Sequence, residues 1–295
     1  MRKTSLDCIY QLAQQDERVI FIGSDLGPGV LSEFKRNIPE RFFMEGISEQ
    51  YIVGMAAGLA FDGFIPYVNT IATFLTRRCF EQLAVDLCMH DLPVRLIANG
   101  GGLVYAPLGP THQAIEDIGI LRTLPNMTIV APCDADEMAR LMDASLHWPH
   151  PLYIRLAKGG DPIVSKSELG FEIGKGIHLK NAGDVLFVTT GITAQIALQT
   201  SELLSKENID SGIFHMHTIK PFDYDGLFQM SEPAKLVVTI EEHLLNGGLG
   251  SAVIEAFSDS GLYQRIIRLG IPDVFATEYG SQELLMTGFG LDPNT

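Results

Sequence analysis

Short apolar runs recur along this chain, and between them apolar residues fall at helical spacing. RVIFIG (Arg18–Gly23), Phe64–Val68, PVRLIA (Pro93–Ala98), Thr128–Ala131 and LYIRL (Leu152–Leu156) form one set. VLFVTT (Val185–Thr190), Ser211–His217, LVVTI (Leu236–Ile240) and Arg265–Leu269 form a second. Uninterrupted apolar runs of this length suit strands covered on both faces, as in parallel sheets. Helices are expected over Leu6–Gln15, around Glu49, over Phe74–Asp86, Ala135–Ser145 and Ala194–Lys206, near Tyr224–Met230, and from Leu249 to Ser258. Asp134 stands where the fourth of them needs an N-cap. Strands alternating with helices predict an α/β chain of two doubly wound domains. Residues 1–160 read as the first and 184–295 as the second. The intervening 161–183 lacks a sustained period and reads as a linker, with a small β excursion at FEIGKGIHL.

One helix stands out. FMEGISEQYIVGMAAGLAF (Phe43–Phe61) carries Glu45, Glu49 and Gln50 just before or within a run of Gly and Ala. Small side chains let such a helix approach its neighbours closely. A carboxylate at its head then needs a partner, since a lone buried charge is costly. The same pattern also suits a surface helix whose acidic first turn meets the positive end of the helix dipole.

Composition narrows the field. At 295 residues there is room for two domains of ordinary size, and 46% hydrophobic content with 29 Gly is normal for a soluble α/β protein. A formal net charge of −15 argues against nucleic acid or an anionic membrane as partner. Cys8, Cys79, Cys88 and Cys133 show neither CxxC nor zinc-ligand spacing, so reduced thiols in the cytoplasm are expected. The basic opening, Met1–Thr4, is followed by no signal-peptide core, and no apolar run reaches the roughly 20 residues of a membrane span.

Several loops hold candidate chemistry. SDLGPG follows the first strand and includes Asp25, which suits either a turn or a ligand contact. NGGGLVYAPLGPTHQ has three consecutive glycines without a following Walker lysine, so phosphate binding of that kind is excluded. His112 in it reads either as a proton carrier or as a residue of a helix entry capped by Thr111. GGLG (Gly247–Gly250) departs from GxGxxG and reads as a tight turn with close packing. Glu242 and His243 before it read as structural or subunit-interface residues. His215 and His217, two apart on an expected strand, have no evident third ligand, so no metal is assigned.

GISEQYIVGMAAGLAFDGFIP, GPTHQ, HMHTIKPFD and EEHLLNGGLGSAV together resemble the transketolase group of thiamine-diphosphate enzymes, and the likeness extends from about Arg2 to Leu291. The resemblance implies a pyrimidine-binding domain followed by a transketolase C-terminal domain. It makes Glu49 the carboxyl group that hydrogen-bonds N1′ of the cofactor's aminopyrimidine. Phe74 becomes the ring stacked on that group, with Arg77 at the family's next aromatic position and Asp25 near the cofactor. His112 would face the reactive carbon and the substrate oxygen as donor or proton shuttle. Arg155, Lys158 and Arg2 align with basic residues that hold substrate phosphate in relatives. At two positions the chain departs from the pattern. Leu108 replaces an Asp that recognises a sugar hydroxyl, and Gly100 stands where relatives carry a sugar-phosphate-binding His. A deoxy, branched or unphosphorylated sugar is therefore expected.

The GDG motif and its following Asn, which hold Mg2+ and the cofactor diphosphate, do not occur in the sequence. The resemblance then implies the C-terminal half of a split transketolase, with a separate N-terminal subunit carrying diphosphate and Mg2+ in an α2β2 assembly. The activity implied is transfer of a two-carbon ketol unit from a ketose to an aldehyde. The alternatives are a pyruvate-using deoxyxylulose-phosphate-synthase-like enzyme, a 2-oxoacid dehydrogenase β subunit, or a non-catalytic assembly subunit.

Overall fold

The computed structural model describes residues 1–24 and 29–294. The first half contains α1 (Arg2–Gln15), β1 (Val19–Gly23), α2 (Ser32–Asn37), β2 (Phe42–Met44), α3 (Glu49–Phe61), β3 (Ile65–Ile71) and α4 (Ala72–Arg77). A short α5 (Phe80–Gln82) runs on into a π-helical turn at Leu83–Cys88. β4 (Arg95–Asn99), α6 (Asp117–Arg122), β5 (Thr128–Val130), α7 (Ala135–Ser145) and β6 (Leu152–Leu156) complete it. The second half contains β7 (Ile177–Lys180), β8 (Val185–Thr189), α8 (Thr193–Lys206), β9 (Ser211–His215), β10 (Thr218–Lys220) and α9 (Tyr224–Ser231). β11 (Leu236–Leu244), α10 (Leu249–Ser260), β12 (Ile266–Ile271) and α11 (Gln282–Gly288) follow.

Two sheets organise these elements. The first has the order β10-β5-β6-β4-β3-β1-β2, and the second β12-β11-β8-β9-β7. β10 and β7 are the antiparallel strands, each at an edge; the remaining pairings are parallel. The continuous apolar runs resolve into two sides. In β1, Ile20 and Ile22 join the cluster beneath α3, while Val19 and Phe21 join the one beneath α1 and α7. In the second sheet, Phe187 faces the cluster containing Ala197 of α8, while Leu186 and Val188 face Leu227 of α9 and Val253 of α10. The cluster on the α8 side also takes in Leu103, Ala106 and Ile115 from the first half, so the two halves share a core.

Three local expectations change. α3 buries one face (Ile52, Val53, Ala56, Ala57 and Ala60) while Tyr51 and Phe61 stay exposed, so it is not enclosed all round. Phe74–Asp86 is not one helix but α4, a break at Arg78–Cys79, and α5 with its π turn. Ser211–His217 is not one strand: β9 ends at His215, and after His217 the chain crosses to the first sheet, where β10 pairs with β5.

Candidate active site

Parallel strands deliver the segments that follow them to one edge of the sheet, and the order β4-β3-β1-β2 puts four such ends side by side. Ser24 Oγ donates to Thr70 Oγ1 at 2.6 Å across the ends of β1 and β3, and Asn99 Nδ2 bonds Asn69 Oδ1 at 3.0 Å across β3 and β4. Glu49 follows β2, Phe74 follows β3 and His112 follows β4.

These side chains form one contact chain. Glu49 is the first residue of α3 and only 3% exposed. Arg78 Nη1 donates to its Oε2 at 3.1 Å, and the Arg78 guanidinium carbon lies 4.1 Å from the centre of the Phe74 ring. Phe74 in turn meets His112 edge to face, with centroids 5.2 Å apart. His112 is half-buried, and its Nδ1 lies 2.9 Å from Thr111 Oγ1. The Glu49 Oε1 atom has no hydrogen-bond partner among the described residues. A carboxylate with one oxygen held and one available suits a ring nitrogen that must be hydrogen-bonded, with an aromatic ring and an imidazole alongside. Glu45 is exposed and stands outside this group.

The remaining expected residues divide. Arg77 points away from Glu49, pairing with Glu116 and donating to the Gln113 carbonyl at 3.1 Å; the break after α4 sends the two arginines to different sides. The arginine on Glu49 is therefore Arg78, which the adjacent pair in the sequence could not distinguish. Arg155 is buried, and its Nε and Nη2 are committed to the protein. It pairs with Asp117 at 2.8 Å and donates to the carbonyls of Ala114 and Glu242, each at 2.9 Å. Through Nε and Nη2, Arg155 thus ties Asp117 and Ala114 to β11. Lys158 is exposed, on a loop where a Cβ at Gly159 would lie 3.2 Å from the Met1 nitrogen, so it neighbours the start of α1. Arg2 lines a groove with Lys3, Leu6, Asp7 and Leu31, none of which belongs to the Glu49 group. Leu108 is 53% exposed at the end of a 3-10 turn. A Cβ at Gly100 would stand 2.1 Å from the Tyr105 ring, so that ring fills the space beside Gly100. Asp25 lies outside the described residues.

How the second half braces the His112 loop had no local signal in the chain. Gly102 and Ala114 exchange backbone hydrogen bonds of 2.8 and 3.0 Å, closing the loop at its base. Glu242 of β11 then accepts from Leu103 N at 2.7 Å and from Gln282 Nε2 at 2.8 Å. Gly102 has φ +64°, and a Cβ there would fall 2.4 Å from the Glu242 carboxyl carbon, so glycine is required twice over. Burial pushes the Glu242 carboxyl up to about 7, against the pull of Arg155. His243 Nε2 accepts from Gly119 N at 3.1 Å, and Arg122 donates to Gly247 O at 2.7 Å. Of the structural and subunit-interface roles expected of Glu242 and His243, these contacts supply the structural one, joining the two halves of this chain. Glu241 caps α10, accepting from Leu249 N and Gly250 N at 2.7 and 2.9 Å.

The fold and these loops define an α/β protein of the thiamine-diphosphate type. Residues 1–160 match the transketolase pyrimidine-binding domain and 174–295 the transketolase C-terminal domain, so the chain belongs to the transketolase family. It is 34% identical, over 99% of its length and 93% of the relative's, to a subunit of the apulose-4-phosphate transketolase of Phocaeicola vulgatus. It is also 34% identical to a protein named as a transketolase C-terminal section in Methanocaldococcus jannaschii, covering 99% of this chain and 92% of that one. To 1-deoxy-D-xylulose-5-phosphate synthase 1 of Geobacter sulfurreducens it is 37% identical, but there it spans 45% of the relative. Among solved structures, a split-gene transketolase described as an inactive beta4 tetramer superposes with TM-score 0.92 at 34% identity, covering 99% and 94% of the two chains. The transketolase of Campylobacter jejuni shares the fold, with TM-score 0.82 at 18% identity over 99% of this chain and 45% of that one. No helix among the described residues is long and apolar enough to cross a membrane.

Proposed function

We propose that this chain is the C-terminal subunit of a split transketolase, transferring a two-carbon ketol unit from a ketose to an aldehyde. The observation that carries this reading is the junction of Glu49, Phe74 and His112 at one sheet edge, supplied by the start of α3, by α4 and by the loop after β4. Thiamine diphosphate, when bound, supplies a carbon nucleophile and an electron sink for cleaving the bond beside the ketose carbonyl. Glu49 would hold the proton shared with the pyrimidine nitrogen through its available Oε1, while Arg78 keeps the carboxylate oriented through Oε2. Phe74 offers aromatic surface, the half-exposed Arg78 swinging off the ring face to admit a planar group. His112, steadied by Thr111, gives and takes a proton at the substrate oxygen.

The diphosphate and Mg2+ belong, in this reading, to an N-terminal subunit with GDG and Asn, in a cytoplasmic α2β2 complex. Leu108, exposed where a sugar-binding Asp is usual, and Tyr105 over Gly100 favour a donor poorer in hydroxyl or phosphate groups on that side. Lys158 and Arg2 remain candidates for a distal anion, and Asp25 for a cofactor contact. The similarity to deoxyxylulose-phosphate synthases supports a second reading, in which pyruvate is the donor.

The test is co-expression with an N-terminal transketolase subunit that carries GDG and Asn, calorimetric titration of thiamine diphosphate with Mg2+, and assay of a ketose panel with and without phosphate. Binding by the pair but not by the single chain, with turnover abolished in Glu49→Ala, supports the proposal. CO2 release from pyruvate would move the assignment to the second reading. A well-formed pair that binds no cofactor would leave an assembly role.

A further inference from the structure

Away from the Glu49 group, a second cluster of chemically capable side chains is sealed between the two halves. Cys133 lies just before α7, Glu137 in its first turn and His215 at the end of β9; all three have 0% exposure. Cys133 Sγ is 2.7 Å from Glu137 Oε2, which is 3.2 Å from His215 Nε2, and the three ligand atoms lie within 4.8 Å of one another. The other His215 nitrogen, Nδ1, faces Thr189 Oγ1 at 3.2 Å, which turns Nε2 toward the carboxylate. His217 stacks on Phe171 with centroids 4.3 Å apart, and its ring centre is 6.1 Å from that of His215. Two buried polar atoms of this group, Glu137 Oε1 and His217 Nε2, have no hydrogen-bond partner among the described residues, and His215 Nε2 has only its 3.2 Å contact with Glu137. Buried polar atoms are nearly always satisfied, so this many in one place calls for a missing partner.

We propose that Cys133, Glu137 and His215 bind one Zn2+ that ties the start of α7 to β9. The donor set is that of zinc: one thiolate, one carboxylate and one imidazole, with the Thr189 hydroxyl behind the imidazole fixing its orientation as metal-bound histidines require. Charge agrees as well. A thiolate and a carboxylate cancel a divalent cation, leaving a neutral unit in an interior where net charge is costly. Bond lengths of about 2.0–2.3 Å at tetrahedral angles place ligand atoms about 3.3–3.6 Å apart, so the His215–Glu137 spacing of 3.2 Å is close to what the ion needs. The Cys133 sulfur needs to withdraw by under about 1 Å from a hydrogen bond that the metal replaces. Without metal the Cys133 thiol is hydrogen-bonded to Glu137 Oε2, and binding displaces that proton. Three protein ligands leave the fourth position to a water, for which His217 Nε2 is an unpaired buried neighbour.

The experiment uses the full, untagged chain. Metal content is measured by mass spectrometry after Zn2+ loading and exhaustive dialysis, and the chelator-stripped protein is titrated with Co2+. About one equivalent of zinc is expected, with a tetrahedral Co2+ spectrum that includes a thiolate-to-cobalt charge-transfer band. Cys133→Ala and His215→Gln should lose the ion, whereas Cys88→Ala keeps it. Folded wild-type protein that retains no zinc, or a Co2+ complex without the thiolate band, would overturn the proposal and leave a purely hydrogen-bonded cluster. Because the wild-type spectrum decides alone, misfolding of a variant does not remove the test.

Discussion

Replacing Arg155 with Met separates a structural role from a substrate-binding one. Arg155 is 6% exposed and its partner Asp117 fully buried, at 2.8 Å. Tyr153 also donates to the same Asp117 oxygen at 2.7 Å. Methionine preserves the stem but strands the Asp117 charge, and removing one partner of a buried pair typically costs about 3–5 kcal/mol. The carbonyls of Ala114 and Glu242 also lose their donor, at about 1 kcal/mol each. Together these terms come to about 5–7 kcal/mol, and at about 2–4 °C per kcal/mol for large domains the midpoint should fall by about 10–28 °C. Urea unfolding of the wild type, Arg155→Met, Asp117→Asn and the double variant gives the coupling directly. The double variant should be more stable than Arg155→Met alone, because its stranded charge is gone. An Arg155→Met variant that unfolds like the wild type, in a complex showing only a raised KM for phosphorylated donors, would refute this account. That result would restore Arg155 as a phosphate ligand.

Other consequences can be measured on the same footing. Glu242 has its folded pKa raised from 4.5 to about 7, so the native state favours the protonated form; its contribution is full below about pH 4.5 and lost as pH rises through about 7. Glu242→Gln should therefore gain stability relative to wild type by a few kcal/mol across that window, and a stability difference that ignores pH would contradict the assignment. Asp134 accepts from Asp136 N and Glu137 N through Oδ1 and from Val164 N and Ser165 N through Oδ2. Asp134→Ala should cost about 2–4 kcal/mol in denaturant unfolding, with Asn recovering part of it. Gly102→Ala combines a positive φ with a clash at Glu242, and should destabilise by about 1–3 kcal/mol and loosen the His112 loop to hydrogen exchange.

Much of this architecture was legible because its strands are buried on both faces and therefore written as continuous apolar runs. α7 was placed to the residue, because Asp134 announces its start. What escaped depended on contacts distant in sequence. Nothing local says that MHTIK leaves one sheet for another, since a short strand reads the same wherever it pairs. The RR pair gave no orientation, because the helix break after Arg77 is a packing outcome. Nothing along the chain announced the partners of Arg155, because its acceptors come from Asp117, Ala114 and Glu242. Cys133, Glu137 and His215 showed no ligand spacing, for β9 reaches α7 only through the folded interface. Glu49, Phe74 and His112 were singled out by the resemblance of their motifs, and the structure places them in one contact chain.

β10 bears on how such a chain can be cut, exchanged or inherited. Thr218–Lys220 closes the outer edge of β5, so a gene divided within residues 161–183 would yield a first half with Thr128–Val130 bared. An unpaired apolar edge is a template for aggregation. Grafting a foreign C-terminal half onto this pyrimidine-binding half would succeed only if the graft brought a strand in register with β5. The breakpoint that composition makes most inviting is thus the one recombination should avoid, and the two halves are expected to travel through genomes as a single cassette.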